Sequence, residues 1–358
     1  MKFLTVIGAR PQFIKAAPLS KEIRKRHREI LVHTGQHYDY GMSRQFFNEL
    51  HIPRPDFNLE VGSGLHGAQT AAMLAKLEPV VLKQKPDAVI IFGDTNSTLA
   101  GALIAAKLHI PLAHIEAGMR SFNRMMPEEV NRVVADHLSN IHFCPTDTAV
   151  KNLKKEGITS GLYLVGDIMY DAMKDILPSK DQTAKMIKKM DLVAKQYLFV
   201  TIHRAENTDN PDNLSSIMEA LISSDKKVVF PVHPRTEKKL KEVSLWNELK
   251  RSENILLIPP QGYRESLALQ SDAYAVITDS GGIQKEAYLL KTPCLTVRHE
   301  TEWVETVKTG WNHLVGPDKK RLLKTLAKLK LPSAHPNLYG QGQAARLIVG
   351  HLERHLGR

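Results

Sequence analysis

Three carboxylates stand where short apolar runs would leave them, just past the ends of strands or at a helix start. Asp94 lies in Gly93-Asp94-Thr95-Asn96-Ser97, and Glu116 follows Pro111-Leu112-Ala113-His114-Ile115 and precedes Ala117-Gly118. Glu128 opens Pro127-Glu128-Glu129-Val130-Asn131-Arg132. An acid directly after an apolar strand and beside a glycine is costly unless a partner or ligand uses it, which singles out Glu116. The other two have structural readings as well. Asp94 suits a helix cap, with Thr95 and Ser97 as rivals, and Glu128 suits the positive end of a helix. Three carboxylates near one cleft repel one another, which raises at least one pKa and serves acid/base work.

Cations and turns complete the pattern. Gly8-Ala9-Arg10-Pro11-Gln12-Phe13-Ile14-Lys15 turns from a strand into a helix and offers Arg10 and Lys15 to anionic groups, with surface charge as the equal alternative. His203 beside Arg204, and His233 with Arg235, follow strands and favour phosphate contact over ordinary structural histidines. Most specific is Thr278-Asp279-Ser280-Gly281-Gly282-Ile283-Gln284-Lys285-Glu286, a strand end, a tight turn and a helix start. Backbone N–H groups around Ser280, Gly281 and Gly282 can cradle a phosphate there, and Glu286 can take two sugar hydroxyls. Neither a G-x-G-x-x-G fingerprint nor a Walker A loop occurs, so nicotinamide cofactors and nucleoside-triphosphate hydrolysis lose sequence support.

Such residues need a scaffold that gathers strand ends. Short Val-, Ile- and Leu-rich runs alternate with helix-period segments, which predicts an α/β protein with doubly wound parallel sheets. The spacing predicts strands over 3–7, 30–34, 88–92, 111–115, 141–143 and 163–165, then 197–202, 228–232, 255–258, 275–278 and 294–297. Helices are expected over 68–83 and 97–108. A polar stretch, Ser179-Lys180-Asp181-Gln182, reads as a linker. Two Rossmann-like domains are expected, 1–168 and 169–340, with an amphipathic helix within 341–358 packing back on the first. Ligands bind beyond the carboxyl ends of parallel strands, so two such halves would share a cleft.

Composition narrows the partners. At 358 residues, with 42% hydrophobic and 24% charged residues, the chain suits two soluble domains. No apolar run reaches spanning length, and residues 1–7 are too short for a signal peptide, which predicts a cytoplasmic protein without membrane contact. The formal charge of +11 is scattered over helix-like segments such as Lys185, Lys188 and Lys189 without interleaved aromatics, which predicts solvated faces and no nucleic-acid partner. Cys144 and Cys294 sit in apolar segments without metal-like spacing, so buried thiols and no metal site are expected.

Taken together, these motifs resemble the non-hydrolysing UDP-N-acetylglucosamine 2-epimerases, from Lys2 to the C-terminal helix. The resemblance implies a glycosyltransferase B arrangement of two Rossmann-like domains, an active site in the interdomain cleft, a homodimer, and a UDP-sugar substrate without cofactor or metal. It implies acid/base roles for Asp94, Glu116 and Glu128, with His203 near the leaving diphosphate. Arg10, Lys15 and Arg132 would assist, Ser280, Gly281 and Gly282 would hold the diphosphate, and Glu286 the ribose. The implied chemistry is elimination of UDP to a 2-acetamidoglucal and re-addition from the other face. Departures exist. The main bacterial branch carries T-E-R-P-E where this chain has Thr301-Glu302-Trp303-Val304-Glu305, a Glu where it has Lys285, and a Glu where it has Gln12. With His33-Thr34-Gly35-Gln36-His37, these features are more like the branch acting on UDP-2,3-diacetamido-2,3-dideoxyglucuronate. The Gln-Arg segment with which main-branch members bind a second, activating substrate has no match at Gly62-Ser63-Gly64-Leu65-His66. Competing readings are a glycosyltransferase of the same fold and a hydrolysing epimerase.

Overall fold

A computed structural model of the chain describes residues 1–36 and 52–357. It forms two compact units, residues 1–176 with 337–358, and residues 177–336. The first unit therefore keeps the whole helix Ile168–Ile176, of which the sequence pattern assigns residues 169–176 to the second domain.

In the first unit, β1 (Lys2–Ile7), β2 (Arg28–His33), β3 (Phe57–Asn58), β4 (Ala88–Phe92), β5 (Leu112–Ile115), β6 (Ile141–Cys144) and β7 (Leu162–Leu164) form one parallel sheet. Their order is β3-β2-β1-β4-β5-β6-β7. The second unit has β8 (Tyr197–Thr201), β9 (Lys227–Pro231), β10 (Ile255–Ile258), β11 (Ala275–Thr278), β12 (Cys294–Thr296) and β13 (Asn312–Leu314), in the order β10-β9-β8-β11-β12-β13. Both are Rossmann-like orders, and the chain reverses its winding between β1 and β4 and again between β8 and β11.

Burial on both faces explains the continuous apolar runs. Phe3 and Ala88 to Phe92 are fully covered, because helices lie on each side of the sheet. In β8 the period of two is visible: Leu198 and Val200 enter one core with Val228 and Ile277, while Tyr197 and Phe199 enter the other with Val229 and Val276. The helix His66–Gln84 buries Met73, Leu77 and Val81, one stripe at spacings of four, and Asn96–Lys107 is buried along much of its length. The helix Ala344–His355 belongs to the first unit and packs on Arg10–Ile23. Asp171 caps its start, accepting from Ala344 N and Ala345 N at 3.1 and 3.0 Å.

One expectation is corrected. Residues 179–182 are a helix start: Ser179 Oγ accepts from Gln182 N at 3.3 Å and Gln182 Oε1 accepts from Ser179 N at 3.1 Å, a capping box for Lys180–Lys189. Both cysteines are buried free thiols, each pushed up to about 12 by burial. Among the described residues no helix is long and apolar enough to cross a membrane.

Candidate active site

At the switch point of the first sheet, Gly8 ends β1 so close to Thr34 Oγ1 and Ser97 Oγ that a Cβ there would collide with both. Gln12 reaches back across this turn. Its Oε1 accepts from Gly8 N and Ala9 N at 2.8 and 3.1 Å, and its Nε2 donates to Phe92 O and Thr98 Oγ1 at 3.0 Å each. One neutral amide thus ties the end of β1 to the end of β4, and a carboxylate would have no hydrogen to give Phe92 O.

The acids lie on the loops that follow. Thr95, not Asp94, caps the helix Asn96–Lys107, accepting from Thr98 N at 3.3 Å. Asp94 instead pairs with Arg132, whose other nitrogen donates to Glu129 Oε2 at 2.9 Å. Glu116 pairs with the buried Lys15, and a Cβ on Gly93 would stand 3.2 Å from Glu116 Oε2 and 3.3 Å from Lys15 Nζ. So Lys15, Asp94, Glu116 and Arg132 come together around the turn Gly93-Asp94. The repulsion expected among the acids is met by pairing Glu116 with Lys15 and Asp94 with Arg132. Glu128 is half-buried in the first turn of Pro127–Leu138. The side chain of Arg10 and residue His37 lie outside the described residues.

Glu116 carries a φ of 69°, the left-handed region that costs an ordinary side chain about 1 kcal/mol or more. A buried network behind the loop holds it there. His114 Nε2 donates to Gly93 O at 2.7 Å, its Nδ1 lies 2.7 Å from Asp136 Oδ1, and Asp136 accepts from Gly118 N at 3.1 Å and Arg120 Nη1 at 2.6 Å. Burial pushes the Asp136 carboxyl up, but His114 and Arg120 outweigh it and hold it below the usual carboxylate range. The loops bearing Asp94 and Glu116 are therefore anchored to one aspartate.

The switch point of the second sheet has its own aspartate. Asp279, fully buried at the end of β11, accepts from His203 N and Arg204 N at 3.1 and 3.0 Å and from Asn207 Nδ2 at 3.1 Å. The His203 Nδ1 lies 3.5 Å from Asp279 Oδ1. Ser280 begins the helix Gly281–Leu289 without spending its side chain on the cap, and its Oγ lies 3.9 Å from the point a Cβ would occupy on Gly282. Glu286 is buried and accepts from Gln270 Nε2 at 2.8 Å. His233 and Arg235 have structural duties: His233 Nδ1 caps the helix Pro234–Glu242, and Arg235 pairs with Asp209 while donating to Thr208 Oγ1 at 3.2 Å. The rings of His203 and His233 are 6.1 Å apart, centre to centre.

Sequence reasoning passes over Asp279, Glu129, Asp136 and Gln270. Only Glu129 left a trace, its spacing of three from Arg132 on one helix face.

Two Rossmann-like units, one with paired acids and cations at its switch point and one with a histidine, a Ser-Gly-Gly helix start and a buried glutamate, define an α/β protein of the glycosyltransferase B-like fold. A family model described as UDP-N-acetylglucosamine 2-epimerase matches residues 21–353. A UDP-N-acetylglucosamine 2-epimerase homolog of Methanococcus maripaludis is 52% identical over 351 residues, covering 98% of each chain. The UDP-2,3-diacetamido-2,3-dideoxy-D-glucuronate 2-epimerase of Pseudomonas aeruginosa is 45% identical over 366 residues, covering 99% of this chain and all of that one (100%). Among solved structures, the Methanocaldococcus jannaschii UDP-GlcNAc 2-epimerase in complex with UDP-GlcNAc and UDP superposes with a TM-score of 0.90 at 42% identity, covering 99% of this chain and 100% of that one. The chain belongs to the non-hydrolysing UDP-N-acetylglucosamine 2-epimerase family and is an isomerase.

Proposed function

We propose that the chain interconverts UDP-N-acetylglucosamine and UDP-N-acetylmannosamine by eliminating and re-adding UDP. The observation that carries this reading is the gathering of Lys15, Glu116, Asp94 and Arg132 around the Gly93-Asp94 turn. Carbon 2 of such a sugar has no neighbouring carbonyl and is barely acidic. The bond from carbon 1 to the diphosphate oxygen must therefore break with developing positive charge while a carboxylate takes the proton from carbon 2. The products are UDP and a 2-acetamidoglucal, whose new double bond holds the electron pair of the lost C–H bond. Re-addition of UDP to carbon 1, with a proton delivered to the opposite face of carbon 2, gives the epimer.

Asp94, Glu116 and Glu128 handle these protons, with Lys15, Arg132 and Arg10 setting their charge balance. His203, backed by Asp279, attends the departing diphosphate, which the Ser280, Gly281 and Gly282 N–H groups stabilise. Glu286, oriented by Gln270, takes the ribose. His233 and Arg235 border the diphosphate. The protein acts in the cytoplasm as a homodimer, without cofactor or metal.

A second reading, a 2-epimerase of UDP-2,3-diacetamido-2,3-dideoxyglucuronate, draws on Gln12, Lys285 and Trp303 and on the likeness to the Pseudomonas enzyme. Incubation with each UDP-sugar separately in heavy water, followed by NMR, tests both. Deuterium at carbon 2 of UDP-N-acetylmannosamine is expected without added cofactor. Retention of the original hydrogen would refute the elimination, and turnover of the uronate alone would move the assignment to the second reading.

A further inference from the structure

Lys285 is fully buried, and its ammonium stands 4.3 Å from the centre of the Trp303 ring. Trp303 is buried too, and its indole nitrogen lies 3.4 Å from the point a Cβ would occupy on Gly281. Beside it the Glu302 carboxylate, held by Arg298 Nη1 at 3.3 Å, fills the rest of that space. The indole is thus wedged between a buried cation and the Ser280-Gly281-Gly282 turn. A lysine is rarely buried outright, and a ring face replaces part of its lost hydration most effectively away from water. Displacing either side chain shifts the surface against which Gly281 rests.

We propose that Lys285 and Trp303 are one coupled pair of positioning residues that sets the turn holding the diphosphate, an inference that rests on the assignment of that turn above. The two departures from the main-branch Glu and Arg are then a single exchange, made at two positions whose side chains meet in this chain. Half an exchange is disfavoured either way. A glutamate at 285 would turn a carboxylate toward the negative face of the indole, and an arginine at 303 would bury two cations together.

The test is calorimetric titration of the full-length chain with UDP, beside thermal unfolding. Lys285→Glu and Trp303→Arg should each weaken UDP binding by about tenfold or more, and the double variant should return to within about threefold of the starting protein. Trp303→Phe, which keeps a ring face, should stay within about threefold. Should the charge-exchanged chains fail to fold, Lys285→Met, Trp303→Leu and their combination replace them: a double loss no larger than the greater single loss supports coupling. Additive losses in either cycle, or single variants that bind UDP like the parent, overturn the proposal. Failure of the parent itself to bind UDP would instead overturn the assignment of the turn.

Discussion

The His203 ring lies 3.5 Å from a carboxylate, Asp279, that is wholly shielded from water and also holds the backbone of the histidine's own loop. One side chain therefore fixes both the loop and the ring. Asp279→Asn keeps the volume but leaves one acceptor oxygen for several donors. It should cost about 2–3 kcal/mol in urea unfolding and lower turnover by about tenfold to a hundredfold. Unchanged turnover in a fully stable variant would remove Asp279 from the site.

The Lys15 and Glu116 pair invites a double-mutant cycle. Both side chains are largely buried, at 8% and 13% exposed. Lys15→Met or Glu116→Gln alone should destabilise by about 3–5 kcal/mol, because the survivor is left without its counter-charge. The combined variant should recover most of that stability while staying inactive. Additive losses measured by denaturant titration would show that the two do not act as a pair.

Gln12→Glu tests whether the neutral amide is a structural need. The carboxylate would keep the Gly8 and Ala9 N–H bonds but face Phe92 O with no hydrogen to offer. A loss of about 1–3 kcal/mol is expected at neutral pH. Wild-type stability in thermal unfolding would count against this account.

A pH dependence follows from His142 and His313, whose imidazoles burial holds below the ordinary value of 6.5. Below that value the unfolded chain takes up protons that the folded chain refuses, so stability falls as the pH drops through it. Replacing both residues by Asn should flatten the slope of urea midpoints between about pH 7 and about pH 5. An unaltered slope would mean other groups carry it.

Long, doubly buried strands were legible because every residue in them is apolar, as in Ala88–Phe92. Two short strands, Phe57–Asn58 and Asn312–Leu314, were not. Phe57–Asn58 has no period to detect, and Asn312–Leu314 contains an asparagine that bonds Gln284, Thr296 and Thr306, each in another element. Ser179–Gln182 looked like a linker because a helix burying little more than Thr183 and Ile187 is polar almost all round. In the site, residues next to glycine turns stood out, since an acid or cation there needs a reason. Asp279 and Asp136 did not, because what distinguishes them is the set of backbone and side-chain donors they meet, and folding alone decides that.

Glu116 stands in a backbone conformation that glycine adopts without penalty, and its ammonium partner is unwelcome in the interior without it. On the role proposed for Glu116 and Lys15, a lineage released from catalysis would gain by losing both. Selection for stability alone should draw position 116 toward glycine and position 15 toward an aliphatic residue in the same interval. A relative carrying both changes would then be recognisable from sequence as a retired enzyme on an intact scaffold.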